Sequence, residues 1–498
     1  MVADGRHAVV IGSGISGLLA ARVLLGHFER VTIVDRDRFP QRPDHRGGVP
    51  QSWHVHGLLP RGAQIIYELF PGLHGELRAD GAAVAWDLCR AKIVTPAGLL
   101  PLAGELDGFE DGMLFHSRFL LEWRLRQRLS ADARVRFSPA TEVVGLSTSR
   151  WGSASARGAV SGVRVRYRDT SAEGRGADRG SGVLDADLVV DASGRSSHAP
   201  EWIEGLGYGR VGEETVHSQL SYASRFYARP DGFPDEFSLL LINGRPPDNP
   251  RAGLVQDIEN GVWHVTLGGM AGAVVPTDDE EEFLRWAREL PDPRMYEAIR
   301  VARPLTPLRG WRTPSNRLRH FERLRSWPPG LIVTGDAVCA LNPIYGQGMT
   351  VAAIDALALR DCLLDYDSGR RPGFEKAFQR RLARTVAGPW LAASSEDLRW
   401  PTVTMDGARP RRGTTLVRRY LDVVLRAAVE DPVLARRYFD VIGIMAPPTS
   451  LFSPAVAVRV ALDAGRRVAA RLTRRRTVPE CPFPLTPGRL VAYRGRRP

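Results

Sequence analysis

Three glycines near the start of the chain have the spacing of a loop that holds a dinucleotide. They belong to the GxGxxG run Gly12-Ser13-Gly14-Ile15-Ser16-Gly17. In such a loop the first glycine allows a tight turn, the second lets the backbone approach a pyrophosphate, and the third lets the helix pack close to a strand. The chemistry expected of this loop is therefore the binding of phosphate groups by backbone N–H groups.

The residues around the loop predict the strand, helix and second strand that such a site requires. Residues 8–11 are a short apolar run typical of a buried strand, and residues 18–25 follow as a buried helix. A second apolar strand, residues 31–34, leads into Asp35 and Arg36. Both residues are predicted to contact the nucleotide. An acid at the position of Asp35 accepts hydrogen bonds from ribose hydroxyls. The motif alone does not choose between NAD and FAD.

A second loop with an acid and glycines lies late in the chain, again between a predicted strand and a predicted helix. Residues 331–334 are apolar, and a helix is predicted at 350–364. A single nucleotide half-site does not explain two such loops, whereas one long dinucleotide that crosses the domain does. Asp336 is then predicted to bind its ribose or polyol chain, and the helix N-terminus to face an electron-rich ring edge. The residues of this loop are Gly335, Asp336, Ala337, Pro343, Gly346, Gln347, Gly348 and Met349.

These motifs resemble those of the class A FAD-dependent monooxygenases, which are of the aromatic-hydroxylase type. The late loop resembles the GD motif of that family, and the segment from Ser117 to Leu121 resembles its SRxxL segment, which includes Arg118. The loop at 45–57 reads HRGGVPQSWHVHG. It resembles the RKGVPQxRHxH segment of the actinobacterial polyether-pathway epoxidases, a branch of the same superfamily. The resemblance covers most of residues 7–365 and selects FAD as the cofactor.

The resemblance implies a reaction whose difficult chemistry belongs to the flavin. Reduced FAD would react with O2 to give a C4a-hydroperoxide, which passes one oxygen atom to a hydrophobic small molecule. Epoxidation or hydroxylation of a polyketide or terpenoid intermediate of secondary metabolism is the implied activity. Pro343, His54 and His56 are implied to border the flavin, and Arg46 and Arg118 to balance the pyrophosphate charge.

One motif departs from the family pattern. Ser193 stands where the family has an aspartate, and Asp191 lies two residues earlier, as in related reductases and halogenases. NAD(P)H is therefore expected as electron donor either directly or through a partner flavin reductase. The departure also leaves open a flavin reductase or dehydrogenase without oxygen transfer, an FAD-bearing non-redox cyclase, and an inactive flavin-binding scaffold. A tryptophan-type halogenase is disfavoured, since the chain has no WxWxIP segment.

No metal site is predicted. His54 and His56 form an HxH pair, but no third and fourth ligands lie at a zinc-like spacing. The four cysteines form no CxxC pair, which excludes a thiolate zinc site and fits a reducing compartment. With neither a signal peptide nor a run of about 18 apolar residues, we expect a cytoplasmic protein without a membrane span.

The net charge of +12 arises in the last part of the chain. From residue 360 onward, 27 basic residues oppose 13 acidic ones, whereas residues 1–359 contain 41 and 43. Without a nucleic-acid-binding module, no nucleic acid partner is expected. A basic amphipathic helix predicted at 455–472 leaves peripheral membrane contact open, although a solvated helix over a core is the favoured interpretation.

A length of 498 residues predicts two or three domains. We predict an α/β fold with a Rossmann-like FAD domain of the glutathione-reductase type, discontinuous over 1–80, 110–204 and 326–370. Residues 81–109 and 205–325 are predicted to form an antiparallel substrate-binding sheet, and 371–498 a C-terminal helical segment and tail that covers the pocket. Pocket-lining candidates on the sheet are Tyr222, Phe226, Phe237, Leu239, Leu241, Trp263 and Val265.

Overall fold

The computed structural model describes residues 5–149, 158–169, 177–234, 236–313, 315–408 and 413–476. No helix in this part of the chain combines the length and the hydropathy needed to cross a membrane. The α-helices, in chain order, are α1 (Ile15–Leu24), α2 (Pro60–Leu69), α3 (Leu73–Ala79), α4 (Arg118–Ser130), α5 (Ala199–Gly205), α6 (Glu280–Arg288), α7 (Arg294–Ile299), α8 (Gly348–Asp365), α9 (Phe374–Asp397), α10 (Thr414–Ala428), α11 (Pro432–Ile442) and α12 (Pro454–Arg476).

A five-stranded parallel sheet carries the predicted dinucleotide motifs. Its central strand is buried along its whole length, as expected for a strand covered on both faces. Because all neighbouring strands are parallel, the loops that follow them meet at one edge of the sheet. Both predicted glycine loops therefore lie at the same edge. In spatial order the strands are Leu331–Val333, Leu188–Asp191, His7–Ile11, Arg30–Val34 and Val135–Ser138.

A larger sheet is built mainly from the predicted substrate-binding residues. Its pairings are antiparallel except for one parallel pair, Ala91–Thr95 with Leu239–Ile242. One face packs against α6 and α7, with Trp263 and Phe283 fully buried between them. The opposite face is turned toward the loop at 53–55, which contacts Ser224, Thr266 and His264 of the sheet. Its strands are Arg303–Pro304, Arg309–Thr313, Leu220–Ala228, Val262–Gly269, Arg251–Ile258, Leu239–Ile242, Ala91–Thr95 and Gly98–Leu99.

Three smaller sheets complete the described strands. A three-stranded antiparallel sheet contains Thr141–Ser149, Ala159–Asp169 and Ala177–Asp185, and a two-stranded sheet contains Ala83–Ala85 and Met113–Phe115. The Gly-, Ser- and Arg-rich composition of 149–159 and 170–182 predicts exposed hairpin ends, and both stretches lie partly outside the described residues. A four-stranded antiparallel sheet contains Cys339–Ala340, Asn316–His320, Gly212–His217 and Thr404–Asp406.

Two predictions about these elements are wrong. Residues 184–190, in which Leu184, Ala186 and Leu188 alternate with Asp185 and Asp187, predict a single strand, but the chain forms Ala177–Asp185 in one sheet and Leu188–Asp191 in another. The alternation runs through both strands, so it does not reveal the change of sheet. The segment after residue 370 was expected to be helical, but Thr404–Asp406 pairs with Gly212–His217. A three-residue strand gives too short a pattern to be detected.

Helix α9 belongs to the core of the parallel sheet rather than to a separate appendage. Its residues Phe374, Phe378 and Leu382 are buried in the same core as the sheet strands. The Gln379 Nε2 atom donates to the carbonyl of Val333 at 3.0 Å. The packing of the predicted FAD domain therefore continues past residue 370. The domain boundaries themselves remain a prediction.

Candidate cofactor and substrate site

A cavity of about 630 Å³ lies where the two glycine loops meet. Its volume falls within the range of about 300–1,000 Å³ found for small-molecule and cofactor sites. The predicted residues Ser13, Gly17 and Gln347 do not line it. The predicted residues that line it are Gly12, Gly14, Ile15, Ser16, Asp35, Arg36, Arg46, His56, Arg118, Asp336, Pro343, Gly346, Gly348 and Met349.

The three glycines of the first loop differ in what a side chain at each position would meet. Gly12 has φ +97°, a backbone conformation that favours glycine. A β-carbon on Gly17 would overlap the carbonyl oxygen of Gly12 and contact Val10, so the absence of a side chain lets α1 pack against the first strand. A β-carbon on Gly14 would meet no atom within 4 Å, because this position faces the cavity. The backbone at Gly14 is therefore open to a ligand.

Asp35 is already held by several hydrogen bonds from the protein. Its Oδ2 atom accepts from the backbone N–H and the hydroxyl of Ser13, at 2.8 and 2.6 Å, and from Arg46 at 3.1 Å. Its Oδ1 atom accepts from the backbone N–H of Asp37 at 2.9 Å. Since a carboxylate oxygen has two lone pairs, Oδ1 retains capacity for one ribose hydroxyl.

Arg46 contacts three carboxylates, which the sequence did not predict. Its Nη1 atom lies 3.1 Å from both Asp35 and Asp37, and its Nε atom lies 3.3 Å from Glu122. Burial disfavours its charge, but Glu122, Asp35 and Asp37 together raise the pKa of Arg46 above its ordinary value. Much of the donor capacity that was predicted to meet a pyrophosphate is therefore used within the protein.

Glu122 is the centre of this cluster of charges. It is buried on α4, 2.8 Å from Arg118 Nε and 3.5 Å from Arg126 Nη1. Burial alone would raise the pKa of Glu122, but Arg118, Arg46 and Arg126 lower it to about 2.

The positive charges of these three arginines are balanced by the negative charges of the carboxylates of Asp35, Asp37 and Glu122. The backbone N–H groups at the start of α1 and the exposed Arg36 are left as positive groups for a phosphate.

The DASG segment has its acid turned inward. Asp191 is fully buried and accepts from the Ser193 N–H, the Ser193 hydroxyl and the Ser197 hydroxyl at 2.9, 2.5 and 2.6 Å. Ser193 and Arg195, by contrast, line the cavity. Asp191 therefore stabilises the turn and presents no carboxylate to a ligand.

Asp336 projects into the cavity from the second loop. Burial raises the pKa of its carboxyl, although the charges of Arg195 and Arg118 oppose this rise. Its side chain is exposed and lines the cavity. This position suits an acceptor for the hydroxyls of a polyol or ribose chain.

The stretch between Pro343 and Gly346 is fixed from behind by α9. Asp397, at the end of α9, accepts from the Tyr345 hydroxyl at 2.6 Å and from the Asn342 amide at 3.3 Å. Asn316 also donates to Asp397 and accepts from the backbone N–H of Asn342. Sequence reasoning missed this cluster, since its members are far apart in the chain and form no motif.

The two histidines of the HxH pair have different positions. His56 lines the cavity, whereas His54 does not, and that His54 borders the flavin stays a prediction. The ring of His54 turns toward the large sheet, where its Nδ1 lies 2.7 Å from Ser224 Oγ. Burial lowers the pKa of His54 to about 3, and burial together with Arg118 holds the pKa of His56 well below its ordinary value.

Among the described residues, no group of His, Cys, Asp and Glu has a metal-binding arrangement.

A second, apolar cavity of about 110 Å³ adjoins the first, and we call it the chamber. Gly57 lines both cavities. Leu239 and Leu241 of the large sheet line the chamber as predicted, and Phe439, Ile442 and Gly443 at the end of α11 form another wall. The C-terminal segment therefore covers this part of the site.

The other predicted pocket residues lie elsewhere. Phe237, Trp263 and Val265 are buried on the opposite side of the sheet, against α6 and α7. Tyr222 and Phe226 face the loop at 53–54, where Phe226 lies 6.0 Å from Trp53 between ring centroids. Alternation along a strand identified two faces, but it could not show which face was turned to the ligand.

The residues present fit FAD. Gly14 and Gly348 have open space where a β-carbon would stand, so a ligand can approach the backbone at both loops. Ser16 Oγ and Gln347 Oε1 are buried without a partner in the described structure, and Ser16 lines the cavity. Two N-terminal helix ends, those of α1 and α8, border one cavity. A long dinucleotide could use both.

Comparison with known proteins gives one related sequence and a shared fold. Protein Rv3254 of Mycobacterium tuberculosis is 32% identical over 483 residues, which cover 95% of this chain and 98% of that protein. No family model matches the sequence. An identity of this size over almost the full length of both chains shows common family membership.

Several solved structures share the fold at low sequence identity. The flavin-dependent brominase Bmp2 has a TM-score of 0.62 at 13% identity, covering 94% of this chain and 100% of that chain. The p-nitrophenol 4-monooxygenase PnpA from Pseudomonas putida DLL-E4 has a TM-score of 0.57 at 17% identity, covering 88% and 98%. The Diels-Alderase PyrE3 of the pyrroindomycin pathway has a TM-score of 0.54 at 16% identity, covering 88% and 80%.

The names of these three proteins give three different reactions for one fold, so the fold alone does not determine which reaction a protein catalyses. The mixture of one parallel sheet and several antiparallel sheets agrees with the predicted α/β class. The chain belongs to the same family as Protein Rv3254 of Mycobacterium tuberculosis and has the fold of the flavin-dependent monooxygenases.

Proposed function

We propose that this protein is an FAD-dependent monooxygenase that transfers one oxygen atom from O2 to an apolar small molecule. The observation that carries the proposal is that Gly57 lines both the 630 Å³ cavity and the apolar chamber. A site of this shape lets a reduced cofactor, O2 and an apolar acceptor meet away from bulk water. The Rossmann-like arrangement of glutathione-reductase type is part of the same proposal.

FAD, when bound, supplies the electrons that activate O2. In the overall reaction, substrate, O2, NAD(P)H and one proton give oxygenated substrate, water and NAD(P)+. NAD(P)H acts directly or through a partner flavin reductase. Epoxidation of an alkene is the favoured reaction and hydroxylation the next, because the loop at 45–57 resembles the epoxidase branch.

The residues of this chain bind and position the reactants. The N–H groups between Gly12 and Gly17 hold the pyrophosphate, Asp35 Oδ1 accepts from a ribose hydroxyl, and Asp336 accepts from the polyol chain. The loop from Pro343 to Gly346 borders the ring system. His56 is neutral near pH 7, since its pKa lies well below the ordinary value, and so adds no charge beside the ring.

A non-redox cyclase that carries FAD is the second candidate. It is supported by the enclosed apolar chamber, which can hold a folded substrate without any reductant, and by the fold shared with a Diels-Alderase. A flavin reductase or dehydrogenase without oxygen transfer is a third candidate. The inward-turned Asp191 leaves the mode of NAD(P)H use to experiment.

The expected setting of the protein is the cytoplasm. Helix α12 packs Val456 and Val460 against the core and leaves Val458 and Leu462 each 59% exposed. Packing on the core supports a solvated helix, and the exposed apolar side chains support peripheral membrane contact as the alternative.

The reaction of the reduced holoprotein with O2 tests the proposed function without knowledge of the substrate. We expect rapid reoxidation after anaerobic reduction with dithionite and mixing with O2. With 4-vinylphenol, an alkene that also carries a hydroxyl donor, together with 18O2, NADH and a flavin reductase, we expect one 18O atom in the product. A reduced protein that O2 leaves unchanged would favour the dehydrogenase. Conversion of a substrate without O2 or reductant would favour the cyclase.

A further inference from the structure

The apolar chamber has one buried polar side chain among its described lining residues, Gln256. This residue lies on strand Arg251–Ile258 and is 2% exposed. Asp87 also lines the chamber, but it is exposed at the rim, and its Oδ1 accepts from the backbone N–H groups of Cys89 and Gly104 at 2.7 and 3.0 Å. Gln256 is therefore the polar group that an enclosed ligand meets.

The two ends of the Gln256 amide have different surroundings. Its Nε2 atom lies 3.4 Å from the carbonyl oxygen of His116, to which it donates, whereas its Oε1 atom is buried without a partner. Exchanging the two atoms would place two acceptors against each other, so the carbonyl of His116 fixes the orientation. A buried acceptor without a donor is destabilising until a donor reaches it.

The unpaired oxygen lies at the junction of the two cavities. It is 3.7 Å from the position that a β-carbon on Gly57 would take, and Gly57 lines both cavities. A group that donates to Gln256 Oε1 is thereby held beside the cofactor cavity. The rest of the same molecule can then lie among the apolar walls formed by Leu239, Leu241 and Phe439.

We infer that the chamber binds a neutral, apolar molecule with one hydrogen-bond donor, a hydroxyl or an N–H group, that donates to Gln256 Oε1. This inference rests on the proposed function, in which that molecule is the substrate. The volume of about 110 Å³ is smaller than the cavity of about 150 Å³ that holds benzene in an engineered protein. The enclosed part of the ligand is therefore about the size of one six-membered ring.

A site of this kind distinguishes ligands that carry a hydrogen-bond donor from ligands of the same size that lack one. An analogue of the same size that lacks the donor leaves Gln256 buried and unpaired, and such sites reject the analogue more strongly than apolar contacts alone would. Gln256 is thus assigned as the residue that determines specificity within the chamber.

The test uses 19F NMR titration of the full chain, without reductant, with 4-fluorophenol and 4-fluorotoluene. These two probes have similar size and differ in the hydroxyl donor. We expect wild-type protein to bind 4-fluorophenol about tenfold more tightly. In Gln256→Met, which keeps the length of the side chain, the difference should shrink to within about twofold, with 4-fluorotoluene binding at least as well as before.

A control variant separates this role from general effects. Gln379→Met changes another buried glutamine with an unpaired Oε1 that lines neither cavity, and should keep the tenfold preference. The inference is overturned if Gln379→Met removes the preference as well, if Gln256→Met leaves it unchanged, or if wild-type protein binds neither probe.

The flavin absorbance of the same samples distinguishes the two proposals. A protein that binds flavin but shows no preference for the donor would agree with the proposed function and contradict this inference. A protein that shows the Gln256-dependent preference but never binds flavin would agree with the donor site and contradict the proposed function.

Discussion

The Tyr345 hydroxyl donates a hydrogen bond of 2.6 Å to Oδ1 of Asp397, which joins the loop beside the cofactor cavity to the end of α9. Asp397 also accepts from Asn342, and Pro343 of the same loop lines the cavity. A helix from the C-terminal part of the chain therefore fixes a wall of the cofactor site.

Asp397→Ala should weaken flavin binding and lower stability together. The change leaves the buried amides of Asn342 and Asn316 without their acceptor, at about 1–3 kcal/mol for each group, and removes the partner of the half-buried Tyr345 hydroxyl. Flavin retention after gel filtration and urea unfolding would measure the two effects. Asp422→Ala, which breaks a part-exposed ion pair with Arg399, is the control and should change neither by much. Equal effects from both variants would contradict a positioning role for Asp397.

Gly14→Ala should lose flavin binding, whereas Gly17→Ala should lose stability. Gly14 has φ −72° and open space at its β-carbon position, so the alanine variant should fold with nearly unchanged stability but lose flavin. In Gly17→Ala the new methyl group overlaps the Gly12 carbonyl, so the protein should unfold at lower temperature even without flavin. Thermal unfolding and flavin absorbance measure both properties. Full flavin content in Gly14→Ala would refute the assignment of the first loop.

Glu122 should make stability depend on pH in the acid range. Its pKa of about 2 in the folded state lies below its ordinary value, so its stabilising contribution is present above that ordinary value and is lost as pH falls toward 2. The contribution is about 3 kcal/mol at neutral pH, from the difference between an ordinary value of about 4.3 and the folded value.

Glu122→Gln should accordingly be destabilised near pH 7, and the gap to wild type should narrow as pH falls from about 4.5 to 2. Urea unfolding at several pH values would measure the gap. Glu280→Gln, which removes an exposed partner of Arg225, should change stability by less than about 1 kcal/mol. A gap that stays constant with pH would contradict the charge cluster.

Phe439→Leu should widen the chamber and favour larger ligands. Phe439 lines the chamber from α11 and is 7% exposed. The variant should raise the binding of 2-naphthol relative to phenol by about tenfold, since the shorter side chain leaves room for a second ring. Phe452→Leu, at a half-exposed ring stacked on Tyr420, should leave the ratio unchanged. An unchanged ratio in Phe439→Leu would show that α11 does not limit ligand size.

The parts of the site that are local in sequence could be predicted, and the parts that depend on distant contacts could not. The turn at Gly12, the close packing at Gly17 and the position of Asp336 follow from short motifs and from strands that end at one sheet edge. Gln256 lies within an ordinary strand pattern, and Asp397 lies within an ordinary helix. Their roles depend on neighbours that are far away in the chain, such as Gly57 and Tyr345.

The partners of charged residues could not be predicted from the sequence either. Arg46 was expected to meet a pyrophosphate because its motif suggested it, but its partners Asp37 and Glu122 could not be identified from spacing. Likewise, His54 and His56 are two residues apart and face different sides of one loop, so only His56 reaches the cavity.

Binding of FAD in the 630 Å³ cavity is tested most directly by the flavin content of the purified protein after incubation with excess FAD and removal of unbound flavin. We expect about one FAD for each wild-type chain and almost none for Gly14→Ala. A folded wild-type protein that stays colourless after this treatment would show that the cavity does not bind FAD.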